Sequence, residues 1–312
     1  MSLYLVTGGA GFIGSHIVEE LVNLGKKVRV LDNFSTGKKE NLAKVIDKIE
    51  LVEGDIRKET DLKAALKDVD FVLHQAALRS VPRSIDDPIS TNDVNITGTL
   101  LLLKLAKEFK VKRVVYASSS SVYGDSPELP KVETQLPSPI SPYAVSKLTG
   151  EYYCRVYSKT FGLETVSLRY FNVFGPRQDP KSQYAAVIPK FIDSAIRGEE
   201  LEVHGDGKQS RDFSYVENVV KANILSCEAK NISGEVFNIA CGENHTVLDI
   251  ANTIGKILKK EVKIRHISPR AGDVRHTLAD ISKAKKFLGY KVYVDFQEGM
   301  KRTVEYFLRT NY

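Results

Sequence analysis

Residues 3–25 read LYLVTGGAGFIGSHIVEELVNLG. The apolar run Leu3–Thr7 predicts a strand, and a helix is expected after it, with Gly8, Gly11 and Gly14 between the two. Glycines at these positions let the backbone turn tightly and bring its amides close to a pyrophosphate at the helix N-terminus. A glycine-rich turn without a ligand would account for the glycines alone. The next strand, VRVLDN, weighs against that reading because it ends in Asp32, at roughly the 20-residue offset where a carboxylate accepts a ribose 2′-hydroxyl. A 2′-phosphate would meet negative charge there, so the pattern favours NAD over NADP. Lys38 and Lys39 speak for the phosphate, but their place at a helix start suits a surface role.

Outward from this unit, strand-like runs alternate with helix-length segments: Val28–Leu31, Ile49–Val52, Phe71–His74, Arg113–Ala117 and Thr165–Arg169 read as strands. Such alternation predicts βαβ units, hence an α/β fold with a doubly wound parallel sheet of Rossmann type. After Asn172 the rhythm changes to loops rich in Pro, Gly and charge (GPRQDPKSQ, HGDGKQSRD, SPRAGDVRH), while Val236–Ala240 again looks like a buried strand. The expectation is a cofactor domain of residues 1–171 plus about 212–240, interleaved with a smaller substrate domain of about 172–211 plus 241–312. No internal repeat is present, and SSSS at 118–121 reads as a strand end.

Composition narrows the chemistry. Of 312 residues 42% are hydrophobic, enough for a sizeable core, and no apolar run approaches a membrane span. The start is broken too early by glycine for a signal peptide, so a cytoplasmic location is expected. The 3 cysteines, Cys154, Cys227 and Cys241, are scattered and read as free thiols; the 6 histidines form no metal motif. A net charge of +6 could suit nucleic acid, but the basic runs LKKEVKIRH and KAKK read as ordinary solvated faces, and a small anionic ligand explains the excess equally well.

The segment SPISPYAVSKLTGEYYC, residues 138–154, sets Tyr143 and Lys147 at helical i, i+4 spacing just after two prolines. The strand before it, RVVYASSSSVYG, ends in hydroxyls at Ser118–Ser121, and the carboxyl ends of parallel strands are where ligands collect. A phenol titrates near 10, so general-base work near neutral pH requires a shift of about three units, or about 4 kcal/mol. A cation about 4 Å away at an effective dielectric near 20 supplies roughly that much. Lys147 is therefore expected to prepare Tyr143 as a base, with an oxidised nicotinamide as a second source of positive charge against desolvation. Asp55 and Ile56 in EGDIRK are candidates for an adenine edge, and Gln75, Ala76 and Ala77 in HQAA for close cofactor approach, although small residues after a strand are also ordinary turn material.

Taken together, GGAGFIG, LDN, GDI, HQAA, TNDVNITGTL, ASSSSVYG, SPYAVSK and LRYFNVFGPRQDP resemble the extended short-chain dehydrogenase/reductase family, and within it the nucleotide-sugar 4-epimerases; the likeness runs through nearly the whole chain. It implies a catalytic set of Ser119, Ser120, Tyr143 and Lys147. It implies cofactor neighbours at Gly8, Gly11, Phe12, Ile13, Asp32, Asn33, Phe34, Ser35, Gly37, Asp55, Ile56, Gln75, Ala76, Ala77, Arg79, Asn95, Ser118, Tyr143, Lys147, Tyr170 and Val173. Arg211, with Arg270 and Asp273, resembles a UDP clamp, since planar guanidinium forks bind phosphate oxygens bidentately. Ala186, Val187 and Phe191 would cover the uracil, and Ser80, Ser119, Ser120, Tyr143, Asn172, Val203 and Thr277 complete the implied substrate contacts. Thr277 stands where the family limits room beside C2 of the sugar, and a small residue there admits an N-acetyl group.

The activity implied is inversion at C4 of a UDP-hexose through a transient 4-keto sugar with tightly bound NAD. UDP-N-acetylglucosamine is favoured and UDP-glucose left open. The related 4,6-dehydratases carry an Asp–Glu pair where this chain has Ser120 and Ser121, which disfavours dehydration. A decarboxylase with a guanidinium for a uronic acid, and a non-catalytic NAD-binding protein, stay open as alternatives. No metal is implied. The resemblance also suggests a homodimer packed through Ile89–Phe109 and Tyr143–Thr160.

Overall fold

A computed structural model describes residues 2–180, 186–268 and 275–310. Its centre is a sheet of seven parallel strands: β1 (Leu3–Thr7), β2 (Lys27–Asp32), β3 (Ile49–Glu53), β4 (Phe71–His74), β5 (Arg113–Ser119), β6 (Glu164–Tyr170) and β7 (Glu235–Ile239). Their spatial order is β7-β6-β5-β4-β1-β2-β3, so the winding reverses between β1 and β4. All of β1 is buried, as expected for a strand covered on both faces. Side chains alternate: Tyr4 and Val6 join the core on one face with Ile17, Val30 and Val219, while Leu3 and Leu5 join the other with Leu62, Leu102 and Cys154. The expected α/β fold, doubly wound with a parallel Rossmann sheet, is present.

Helix Phe12–Asn23 begins at Gly11 and covers the first face together with Val216–Glu228. Helices Glu59–Leu66, Thr99–Glu108 and Pro142–Phe161 cover the second. The expected helix from Ile89 is not uniform: Pro88–Asn92 leads into a wider π turn, Asp93–Gly98, before Thr99–Glu108. The π turn carries Asn95, whose amide bonds both backbone groups of Leu78. The serine run also splits: Ser118 and Ser119 end β5, and Ser120–Tyr123 form a 3-10 turn that Ser119 caps.

Apart from Val216–Glu228 and β7, the residues after Asn172 build a smaller layer beside the carboxyl ends of the strands. Strand Leu201–His204 pairs in parallel with Ile264–Ile267 and is backed by helices Val187–Arg197, Val247–Leu258 and Phe296–Thr310. Thr246 and Asp249 close a capping box on the second of these. No helix among the described residues is long and apolar enough to cross a membrane.

Candidate functional site

At the crevice between β1 and β4 the glycines make room. Gly8 has φ +67°, and a Cβ there would sit 2.7 Å from the Ala76 nitrogen; a Cβ on Gly14 would sit 2.2 Å from the Gly8 oxygen. The helix that Gly11 opens has no side-chain cap and no acidic residue in its first turn. Its amides therefore face the crevice with their positive dipole end uncompensated, which fits a pyrophosphate. Asp32 is buried at the end of β2. It accepts N–H bonds from Ala10 at 2.9 Å and Phe34 at 2.8 Å, while burial raises its carboxyl above the usual range. Gly37 lies so close that a Cβ there would be 2.9 Å from both Asp32 oxygens. Asn33 donates to Asp55 at 3.0 Å, and the Arg57 guanidinium grips the same carboxylate and holds it well below the usual carboxylate range. Lys38 and Lys39 pair with Asp179 and Glu53, each at 3.0 Å. The crevice thus has the cradle and the ribose carboxylate that NAD requires.

His74, which sequence reasoning did not single out, fixes this crevice from below. Thr99 Oγ1 donates to the Asn95 carbonyl at 2.7 Å, so it must accept from His74 Nε2 at 3.0 Å. The neutral ring then accepts at Nδ1 from Thr7 Oγ1, 2.7 Å away, which frees a lone pair on that oxygen for the Ala76 N–H. Burial pushes the imidazole down to about 3, so this one-way chain stays neutral.

Across the crevice, Pro142–Phe161 is capped by Ser141, with Pro142 in its first turn. Lys147 is buried; its ammonium donates to the Ala117 carbonyl at 2.8 Å and lies 5.9 Å from the centre of the Tyr143 ring. Burial lowers it to about 8. The Tyr143 phenol is raised above its ordinary value by burial, with a Ser119 hydrogen bond and the charge of Arg79 pulling the other way. Ser119 and Arg79 are thus the protein groups that pull the phenol down most directly, while the Lys147 ammonium, 5.9 Å from the ring centre, also holds a carbonyl of β5. Ser119 Oγ is 3.0 Å from Ser121 Oγ, at the end of β5.

Some expected residues lie elsewhere. Ser118 turns its hydroxyl into the sheet, onto Glu151, where Arg169 also bonds at 2.9 and 2.8 Å; it does not point toward the crevice. Asn95 spends its amide on Leu78 and on Ser146 at 3.0 Å. Tyr170 and Gln75 meet Asn223 in one buried cluster at 3.1 Å. Ser80 caps helix Val81–Asp86 from a left-handed φ of 143°. Phe12 and Ile56 are buried, Ile13, Ala77 and Ser120 are half-buried, and Ser35 is exposed.

In the smaller layer a cavity of about 320 Å³ is lined by Asn172, Val173, Phe174, Ala186, Val187, Ile188, Phe191, Glu202, His204, Gln209, Arg211, Phe213 and Val247. Val173, expected as a cofactor neighbour, lines this cavity. Val203 is fully buried behind it and does not line it, because alternation along its strand turns Glu202 and His204 inward instead. Thr277 Oγ1 is 3.5 Å from the Asn172 amide and 3.4 Å from the Asp212 nitrogen. Asp212, also missed in the sequence, is buried and accepts N–H bonds from Cys241, Gly242 and Ala279 at 2.9, 3.0 and 3.2 Å. Arg270 and Asp273 lie outside the described residues. Among the described residues no cluster of metal-ligating side chains occurs.

Comparison with known proteins adds a name to this geometry. The NAD dependent epimerase/dehydratase family matches residues 4–240. The UDP-N-acetylglucosamine 4-epimerase of Methanobrevibacter ruminantium, solved with UDP-N-acetylmuramic acid, is 42% identical with a TM-score of 0.95, over 99% of this chain and 98% of that one. The UDP-glucose 4-epimerase of Thermotoga maritima, solved with UDP-glucose, is 39% identical with a TM-score of 0.95, over 99% of this chain and all of that one (100%). A UDP-N-acetyl-alpha-D-glucosaminuronate decarboxylase of Bacillus cytotoxicus is 33% identical over 97% of both chains. The chain belongs to the NAD dependent epimerase/dehydratase family and is an NAD-dependent 4-epimerase of the extended short-chain dehydrogenase/reductase branch.

Proposed function

We propose that this epimerase inverts C4 of UDP-hexoses, with UDP-N-acetylglucosamine and UDP-N-acetylgalactosamine as its preferred pair and UDP-glucose and UDP-galactose as secondary ones. The observation that carries the reading is the meeting of Ser119, Tyr143 and Lys147 at the carboxyl end of β5, where Ser119 bonds the phenol and Lys147 bonds the Ala117 carbonyl. NAD, when bound, supplies the acceptor and donor of hydride at C4. The protein's own part is proton handling and orientation: Tyr143, acting as the phenolate, takes the 4-hydroxyl proton as the carbonyl forms and returns it after the sugar has presented its other face. Ser119 hydrogen-bonds the same oxygen, and Lys147 keeps positive charge beside the phenol. Arg211 and the apolar wall Ala186–Phe191 anchor the UDP, so that binding energy sits away from a sugar that must turn.

Small Thr277 beside Asn172 favours an N-acetyl group at C2. The division that goes with this reading is a cofactor domain of residues 1–171 plus about 212–240 and a UDP-sugar domain of about 172–211 plus 241–312, with Ser119 and Tyr143 reaching the sugar from the first. A decarboxylase reading has a named relative behind it, and release of CO2 from a UDP-uronic acid would favour it. Incubation with UDP-glucose and UDP-N-acetylglucosamine, each C4 epimer quantified by NMR, is expected to show the acetamido pair converting with the higher kcat/KM. Tyr143→Phe should still bind UDP while losing at least about 100-fold in kcat; turnover close to wild type in that variant would remove Tyr143 as the base.

A further inference from the structure

Glu151 stands one helical turn beyond Lys147 and two beyond Tyr143, so the three share one face of Pro142–Phe161. Its side chain and that of Arg169 are 2% and 4% exposed, and the guanidinium grips the carboxylate through Nε and Nη2 at 2.9 and 2.8 Å. Ser118 donates to the same carboxylate and is the register partner of Arg169 across β5 and β6. Ala117, next to Ser118, supplies the carbonyl that receives Lys147. On its other side the Arg169 guanidinium lies 4.6 Å from the centre of the Tyr123 ring, at the end of the turn that follows Ser119. One buried ion pair thus touches both elements that carry reacting groups. Stability alone gives little reason for it, since apolar side chains of similar volume often serve a core as well or better.

We infer that Glu151 and Arg169 are positioning residues for the reaction, fixing the helix that bears Tyr143 and Lys147 against the strand that bears Ser119 while keeping the charge beneath them balanced. The inference rests on the reading of Tyr143 as the base. Lys147 is faced by Tyr143 and Cys154 from its own helix, by Tyr116 from β5 and by His74 from β4, none of them a carboxylate. An unbalanced charge one turn away should therefore register on it. Glu151→Gln leaves a lone cation and should move the alkaline midpoint of kcat down, and Arg169→Met leaves a lone anion and should move it up, each by about half a unit or more.

The test uses the NAD-loaded protein and whichever of UDP-glucose and UDP-N-acetylglucosamine the wild type converts. Each single variant is expected to lose about tenfold or more in kcat with KM within about threefold. Glu151→Met combined with Arg169→Met should return the midpoint to its wild-type value without restoring kcat. Folded single variants with wild-type kcat, or midpoints moving in the same direction, would overturn the inference. Should the charged variants not fold, Ser118→Ala deletes one hydroxyl and is expected to lower kcat about threefold at constant KM; no change in kcat would also overturn it. Tyr143→Phe run in parallel separates the two readings: an active Tyr143→Phe removes the base, whereas an inactive one beside wild-type-like Glu151 and Arg169 variants removes only the positioning role.

Discussion

At the scale of single residues, the decisive question is how a phenol and an ammonium, both buried, share their protons. Lys147 is held near 8 by burial, below its ordinary range, because the charged form loses hydration that one carbonyl bond only partly replaces. As pH rises through that value the ammonium becomes neutral and Tyr143 loses a neighbouring positive charge. Activity should therefore fall on an alkaline limb with its midpoint near 8. Lys147→Met should cost at least about 100-fold in kcat and abolish that limb; a limb unchanged in the variant would assign it to another group. The spacing of these two residues could be read in the sequence, but it took meaning only from the hydroxyl-rich strand end and the proline loop before it. Glu151 and Arg169 were not legible, because what unites them is the register of β5 on β6, which no local stretch of sequence displays.

At the scale of elements, strands buried on both faces were easy to read because their runs are nearly all apolar, and β1 and β4 match expectation end to end. The smaller layer was harder: Val173–Phe174 with Ser214–Tyr215, and Ser210–Arg211 with His245–Thr246, are two-residue pairings with no periodicity to detect. Side chains stand in for the missing ladder. Asp212 gathers Cys241, Gly242 and Ala279 through three N–H bonds, while its own carbonyl takes the Asn172 amide at 2.9 Å. Asp212→Asn would place an amide N–H against one of those donors, leaving a buried group unpaired at about 1–3 kcal/mol. The expected result is a KM for the UDP-sugar raised about tenfold with bound NAD unaffected, read from steady-state kinetics and from cofactor content after denaturation. A lost cofactor with unchanged KM would show that Asp212 supports the sheet and not the sugar.

At the scale of the whole molecule, the catalytic helix has two faces with opposite fates. Tyr143, Lys147, Glu151 and Cys154 turn inward, while Val145, Tyr152 and Val156 are 46%, 52% and 46% exposed at i, i+7 and i+11. Beside them Ile85 and Ile89, on helices Val81–Asp86 and Pro88–Asn92, are 62% and 79% exposed. Single exposed apolar residues need no explanation, but five on helices that pack together are what a contact between copies would cover. A second copy presenting the same stripe would bury it by two-fold symmetry. The proposal is a homodimer, and it ties assembly to chemistry because the buried stripe would lie on the back of the helix that carries the base. Ile89→Glu with Val156→Glu should yield a monomer by sedimentation equilibrium, with the midpoint of thermal unfolding lowered by several degrees (about 4 °C) and kcat reduced more than KM is raised. A wild-type chain that sediments as a monomer at micromolar concentration, or a doubly charged variant that still dimerises, would place the contact elsewhere.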